Sequence, residues 1–278
     1  MNNAQLKKKL LGTPYFLWSL IFILIPLGMV FYYGLTDRSG AFTLNNIISI
    51  TTAEHAKALW LALLLSLIAT VLCLLLAYPL AMILCNMGVN QHSFIVLIFI
   101  LPMWMNFLLR TMAWQTLLEK TGVINSILNF LHLPALRIIN TPYAIVLVAF
   151  MNFIMWFGNT TILLMAGMMG IDTSLFEAAE VDGATSTQVF FKITLPLSVP
   201  GIISGITMVF IPALTTFVIS KLLGGSKVLL IGNVIEEEFT QASNWHLGSG
   251  LSIVLMLFII VNMVLSAIFD KDGEGSFL

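Results

Sequence analysis

The chain has 278 residues, of which 59% are hydrophobic and only 9% are charged, with a formal net charge of −1 at pH 7. A soluble domain carries about 25% charged residues, so this composition excludes an ordinary soluble globular protein. The small net charge argues against nucleic-acid binding, which requires a basic face.

Long apolar runs follow one another along the chain and predict membrane-spanning helices, because about 20 apolar residues are needed to cross the hydrocarbon. The predicted spans are about 14–33, 58–85, 94–113, 143–169, 199–220 and 250–269. The predicted fold is therefore all-α integral membrane, with six spans in one domain over 1–278 and both termini on the same side of the membrane.

The orientation is predicted from Lys7, Lys8 and Lys9, which precede the first span and favour a cytoplasmic N-terminus by the positive-inside rule. No small-residue cleavage site follows this span, so an uncleaved signal anchor is expected. In this orientation the segment 170–198 is cytoplasmic. Pro102 and Pro212 lie inside spans, and we hypothesise that they mark bends along a pathway, the alternative being simple packing kinks.

The segment 170–198 contains an acidic, glycine-containing stretch between two spans. Ser174 and Glu177 have the spacing of a capping box, which predicts a short helix from Ser174. Gly183 is a suitable residue to end that helix. A second helix is predicted from Thr185 or Ser186. The pattern fits a hinged element that receives force from a soluble partner, and it fits a plain interfacial connector equally well.

The same stretch resembles the EAA loop of the permease subunits of bacterial ABC importers. The matching positions are Glu177, Ala178, Ala179, Gly183, Ile193, Leu195 and Pro196. The resemblance implies a type I ABC importer permease fold, in which this loop forms cytoplasmic coupling helices that dock into a groove on an ATPase subunit.

The sequence predicts no catalytic centre, metal site or cofactor in this chain. A phosphate-binding loop requires G-x-x-x-x-G-K-[ST], which Gly224-Gly225-Ser226-Lys227 does not complete. The histidines fit no H-E-x-x-H spacing, which argues against an intramembrane metalloenzyme. None of the 13 acidic residues lies in a predicted span, which argues against an ion-coupled secondary transporter. ATP and Mg²⁺ are therefore expected on a partner ATPase.

Three further stretches, 102–114, 121–131 and 212–239, resemble the spermidine/putrescine permeases, specifically the first of their two membrane subunits. The fourth span departs from that family because it lacks a central proline. The resemblance implies polyamine import across a bacterial cytoplasmic membrane, together with a second permease, two ATPase subunits and an extracytoplasmic binding protein. An ABC importer for iron, molybdate or sulfate is the alternative, and the choice between spermidine and putrescine stays open.

Polar and aromatic residues in the spans are candidates for the substrate pathway. Tryptophan rings attract ammonium groups and side-chain amide oxygens accept hydrogen bonds from them, while anchoring, packing and interhelical hydrogen bonds are the alternatives. The candidates are Trp104, Asn106, Trp114, Asn152, Trp156 and Asn159. Arg110 is expected to pair with backbone carbonyls or with a carboxylate of the partner permease. The run Glu236, Glu237 and Glu238 is a candidate docking surface for the binding protein, or a solvated charge run.

Overall fold

The computed structural model describes residues 13–88 and 94–269, and within these ranges the regular secondary structure is helical, with a single isolated β-bridge between Thr36 and Phe42. The residues Lys7 to Lys9, on which the predicted orientation rests, lie outside the described residues. In chain order the main helices are α1 (Thr13–Gly34), α2 (Ala53–Asn86), α3 (Phe94–Trp104), α4 (Phe107–Leu118), α5 (Val123–Phe130), α6 (Ala144–Met169), α7 (Thr173–Val181), α8 (Ser186–Leu197), α9 (Val199–Thr215), α10 (Ile231–Thr240) and α11 (Trp245–Phe269).

Four of the described helices, α1, α2, α6 and α11, are long and apolar enough to cross a membrane, and α8 with α9 adds a fifth span if that bent pair is counted as one. The predicted third span, 94–113, is not one helix, because α3 ends at Trp104 and α4 begins at Phe107. The predicted fifth span, 199–220, is interrupted after Thr215. The all-α membrane fold is confirmed, whereas the count of six spans stays a prediction.

The described chain forms two compact units, one from residues before 57 and 234–258, the other from 57–233 and 259 onward. In the first unit, the Asn46 side chain donates hydrogen bonds to the carbonyls of Gly34 and Thr36 at 3.2 and 2.9 Å. His246 Nδ1 contacts the carbonyls of Tyr33 and Thr36 at 3.1 and 2.7 Å, so this nitrogen carries the proton. These contacts hold the end of α1 against the start of α11.

The second unit is built on close contacts between α2, α6 and α9. Small residues recur along one face of α2 and are buried, which lets the helix backbones approach closely: Ala58, Ala62, Ser66, Ala69, Cys73, Ala77 and Ala81. The thiol of Cys73 lies 3.5 Å from the Phe153 carbonyl on α6. A Cβ added to Gly167 would lie 3.5 Å from the Gly201 Cα, so α6 and α9 are nearly in backbone contact there.

Candidate functional site

Helix α7 begins at Thr173, and Asp172 caps it by accepting a hydrogen bond from the Ser174 N–H at 2.9 Å. Hydrogen bonding to Ser174 lowers the pKa of Asp172, because an amide donor stabilises the charged carboxylate. The predicted capping box from Ser174 to Glu177 is therefore wrong. A cap must precede the helix, whereas Ser174 lies within the first turn.

Gly183 ends this helix in a left-handed conformation, with φ of 68°. Its N–H donates to the Glu180 carbonyl at 3.0 Å, and the Ala184 N–H donates to the Ala179 carbonyl at 2.9 Å. This pair of bonds is the Schellman motif, which satisfies the last carbonyls of a helix and favours glycine at the turning residue. The predicted role of Gly183 as the helix terminator agrees with the structure.

Helix α8 begins at Ser186 with Thr185 as its cap, within the predicted range. The Thr185 N–H donates to Gln188 Oε1 at 2.8 Å and the Gln188 N–H donates to Thr185 Oγ1 at 3.4 Å, which is a reciprocal capping box. The helix continues through a π-helical turn, Phe190–Thr194, and meets α9 at a bend of 59°. A short, doubly capped element is thus joined directly to a membrane helix.

Tyr78 on α2 ties this element to the helix bundle, and the sequence did not single it out. Its hydroxyl is hydrogen bonded to Ser198 Oγ at 2.8 Å, and its ring meets Phe190 edge-on at 6.0 Å. Ser198 is 1% exposed and lies at the bend between α8 and α9. No local sequence pattern indicates this contact, because Tyr78 and Ser198 are 120 positions apart.

The residues that resemble the EAA motif lie together on α7, α8 and their joint. Glu177, Ala178, Gly183 and Pro196 are exposed, Ile193 and Leu195 are half-buried, and Ala179 is buried. This placement leaves the motif face of α7 free for a second surface.

Two apolar residues next to the motif positions are also exposed, Val181 at 88% and Leu175 at 43%. A cavity of about 1110 Å³ separates this segment from the ends of α2 and α6, with Met82, Met168 and Phe176 in its wall. The segment therefore stands away from the bundle at this point and presents both apolar and acidic atoms.

The candidate pathway residues divide into those the structure brings together and those it separates. Asn152 and Trp156 line one cavity of about 230 Å³, whose wall also includes Pro212 and the chain from Thr215 to Ile219. Asn159 lies further along α6, on the same face as Asn152. The side chain of Pro102 is outside the described part of the chain.

The other candidates have different surroundings. Trp104 is 79% exposed at the end of α3. Asn106 caps α4 by accepting a hydrogen bond from the Leu108 N–H at 2.8 Å. Trp114 packs edge-on against Phe150 at 6.1 Å. A helix cap and a ring contact account for Asn106 and Trp114 without a substrate.

Arg110 is 9% exposed and contacts Met155, which lines the same cavity as Asn152. Its guanidinium donates to the Met105 carbonyl at 3.3 Å and contacts Met155 Sδ at 3.4 Å, while its Nε has no partner among the described residues. The expected pairing with a backbone carbonyl is therefore present. Because Met105 lies between α3 and α4, Arg110 bridges the break in the predicted third span.

Replacing Arg110 by glutamine is expected to destabilise the connection between α3 and α4. The variant loses a charged hydrogen bond to Met105 and the contact with Met155, at a cost of about 2 kcal/mol. Thermal unfolding of the purified chain in detergent measures the change, and Arg38→Gln is the matched control because Arg38 is exposed. Equal melting temperatures for the two variants, together with normal assembly and transport, contradict a structural role for Arg110.

The chain after α9 forms a buried connection held by one asparagine. Thr216 is extended, with ψ of 138°, so the helix is interrupted before the π-helical turn Ser220–Gly224. Asn233 Oδ1 accepts hydrogen bonds from Ser220 Oγ and the Leu230 N–H at 2.5 and 3.2 Å, and Nδ2 donates to the Phe217 carbonyl at 2.9 Å. Asn233 lies in the stretch 212–239 that resembles the spermidine/putrescine permeases, but that resemblance predicted none of these contacts.

The acidic run lies on α10. Glu237 is exposed, Glu236 and Glu238 are half-buried, and Glu236 Oε1 accepts a hydrogen bond from Thr240 Oγ1 at 3.3 Å. The run is thus only partly a free charged surface.

The sequence matches a known protein family over most of its length. The family model described as the binding-protein-dependent transport system inner membrane component matches residues 79–272. The chain belongs to this family. It is therefore a multi-pass membrane permease, and the predicted membership of the ABC importer permeases is confirmed.

Named relatives of this permease cover nearly the whole chain. It is 35% identical to the spermidine/putrescine transport system permease protein PotB of Haemophilus influenzae, over 93% of this chain and 94% of that protein. It is 32% identical to the protein of the same name from Escherichia coli, over 92% of this chain and 97% of that protein.

The permease also has the fold of a solved ABC transporter subunit. A chain in the crystal structure of a bacterial alginate ABC transporter, in complex with an alginate pentasaccharide-bound periplasmic protein, superposes with a TM-score of 0.78. The identity is 21%, over 97% of this chain and 94% of that chain. This likeness supports the ABC permease fold and carries no information on cargo.

Proposed function

We propose that this chain is a permease subunit of an ATP-driven importer for polyamines and that it corresponds to the first of two membrane subunits. The observation that carries the cargo assignment is the 35% identity to a spermidine/putrescine permease over 93% of the chain. The two capped helices of the segment 173–197 support the coupling role, because the second of them, α8, continues directly into a membrane helix.

The segment from Glu177 to Pro196 couples the permease to an ATPase subunit that holds ATP and Mg²⁺. Its exposed residues Ala178 and Val181 face outward and are free to enter a groove on that partner. ATP-driven closure of two ATPases brings two such segments together and opens the pathway outward, and hydrolysis resets it. The nucleotide shifts this equilibrium because the ATPases contact the segment differently in their closed and open states.

The pathway is formed with a second permease, and a separate extracytoplasmic binding protein captures the cargo. No acidic residue lies in a predicted span, so the membrane part contains weak sites for a cation, and weak sites permit release. Asn152 and Trp156, which share one cavity, are the best placed pathway residues. Both termini and the coupling segment are cytoplasmic in this proposal, and the run Glu236 to Glu238 faces the binding protein.

Reconstitution tests the proposal. The permease is co-purified with the second permease and the ATPase from neighbouring reading frames and placed in proteoliposomes with the loaded binding protein. We expect spermidine or putrescine to stimulate ATP hydrolysis and to accumulate inside. Stimulation by iron, molybdate or sulfate instead of a polyamine contradicts the cargo assignment, and transport by the permease without an ATPase contradicts the coupling role.

A further inference from the structure

Two side-chain amides on α6 have buried oxygens without a hydrogen-bond donor among the described residues, Asn152 Oδ1 and Asn159 Oδ1. Asn152 Nδ2 donates to the Val148 carbonyl at 3.0 Å, which directs the amide nitrogen to the helix and leaves the oxygen unpaired. An unpaired buried acceptor is destabilising, because no hydrogen bond compensates for its loss of contact with water. Packing alone does not explain two of them on one helix.

These two residues share a face of α6 with Trp156. Positions 152, 156 and 159 follow the spacing i, i+4, i+7, which places side chains in one row along a helix. The seven-residue interval from Asn152 to Asn159 corresponds to a rise of about 10.5 Å. The row thus has an amide oxygen at each end and an indole ring between them.

The cavity gives this row space for a ligand at one end. Its volume is about 230 Å³, and its wall includes Asn152, Trp156 and the interrupted chain around Phe217. Asn152 itself is only 1% exposed. The unpaired oxygen therefore belongs to a residue that lines an internal space.

We propose that Asn152, Trp156 and Asn159 form an extended site for a linear triamine and select it over a diamine. This inference rests on the proposed function. An ammonium group has only donors, which unpaired amide oxygens match, and an indole face attracts a third cationic group. An extended chain advances about 1.2 Å per bond, so the terminal nitrogens of spermidine, nine bonds apart, span about 11 Å. Those of putrescine, five bonds apart, span about 6 Å and cannot reach both oxygens.

Arg110 keeps this site weak. Its guanidinium contacts Met155, which lies next to Trp156 and lines the same cavity. A fixed positive charge near the row opposes tight retention of a polycation. Weak binding is what passage through a membrane protein requires, because a tightly held ion does not leave.

Leucine substitutions test the proposal because an apolar side chain of similar size removes the unpaired oxygen. At position 152 the substitution also removes one hydrogen bond, from Nδ2 to the Val148 carbonyl. Asn152→Leu and Asn159→Leu are compared with Asn262→Leu, since Asn262 on α11 is a third buried amide with an unpaired oxygen. Initial uptake rates for spermidine and for putrescine are measured separately in proteoliposomes with saturating loaded binding protein.

The expected result is a fall of about tenfold in spermidine uptake for each of the two variants on α6, with putrescine uptake changed less than about twofold. The Asn262→Leu control leaves both rates unchanged. The selectivity proposal is overturned if the α6 variants lower the uptake of both polyamines equally or leave both rates unchanged. It is also overturned if the wild-type complex transports putrescine alone. Polyamine import itself stands in all three cases. If the wild-type complex transports neither polyamine, the proposed function itself fails.

Discussion

Replacing Gly183 by proline is expected to abolish substrate-stimulated ATP hydrolysis while the protein still inserts into the membrane. Proline fixes φ near −65° and has no N–H, whereas Gly183 has φ of 68° and donates to the Glu180 carbonyl. The substitution therefore breaks the turn between α7 and α8 at a local cost of about 3 kcal/mol or more. Nothing lies within 4 Å of a Cβ at this position, so the bundle itself is undisturbed.

The measurement is ATP hydrolysis by the assembled complex with and without loaded binding protein, alongside membrane yield. Gly40→Pro is the matched control, because Gly40 also has positive φ, open space around its Cβ position and an N–H bonded three residues back. A graded variant, Gly183→Ala, costs only about 1 to 2 kcal/mol and should retain part of the stimulation. Normal stimulation in Gly183→Pro contradicts the role of this joint in coupling.

The segment 173–197 was largely predictable because its structure is set by neighbours in sequence. A glycine that ends a helix and a Thr-x-x-Gln capping box are local patterns, and Gly183 and Thr185 act as such patterns predict. The start of α7 was mispredicted because two local patterns compete there. The S-x-x-E spacing favours Ser174, whereas Asp172 accepts a hydrogen bond from the Ser174 N–H and begins the helix earlier.

The membrane helices were predictable from apolar length, but their interruptions were not. The bounds of α2, α6 and α11 lie close to the predicted spans. Hydropathy continues across the breaks before Phe107 and after Thr215, so it contains no sign of them. The first break could have been predicted from Asn106. Asparagine is a favoured N-cap, so an asparagine within an apolar run can mark the start of a new helix.

For the candidate pathway, the sequence predicted which residue types take part but not the surroundings of each residue. Sequence indicated that asparagines and tryptophans in spans need partners, but it did not show that Asn106 caps a helix or that Trp104 is 79% exposed. The contacts that tie distant elements together, Tyr78 with Ser198 and Asn233 with Phe217, depend on tertiary packing. No periodicity in one sequence reports such pairs.

Replacing Asn233 by leucine is expected to destabilise the connection after α9 more than any other single asparagine change proposed for this chain. The leucine removes hydrogen bonds to Ser220, Leu230 and Phe217 and leaves the buried Leu230 N–H unpaired. The cost is about 3 kcal/mol, which corresponds to a fall of roughly 5 to 10 °C in the melting temperature.

The physical reason that this change should also impair transport is the position of Phe217, which lines the cavity shared with Asn152. Without the Asn233 amide, the Phe217 carbonyl keeps its hydrogen bonds from Ser220 Oγ and the Lys221 N–H but loses its connection to α10. The interrupted chain between Thr215 and Ser220 is then less well fixed in the cavity wall. Thermal unfolding in detergent and polyamine uptake are compared with Asn129→Leu, an exposed asparagine on α5. If Asn233→Leu and Asn129→Leu melt at the same temperature, the buried amide does not stabilise this connection, and any loss of uptake must have another cause.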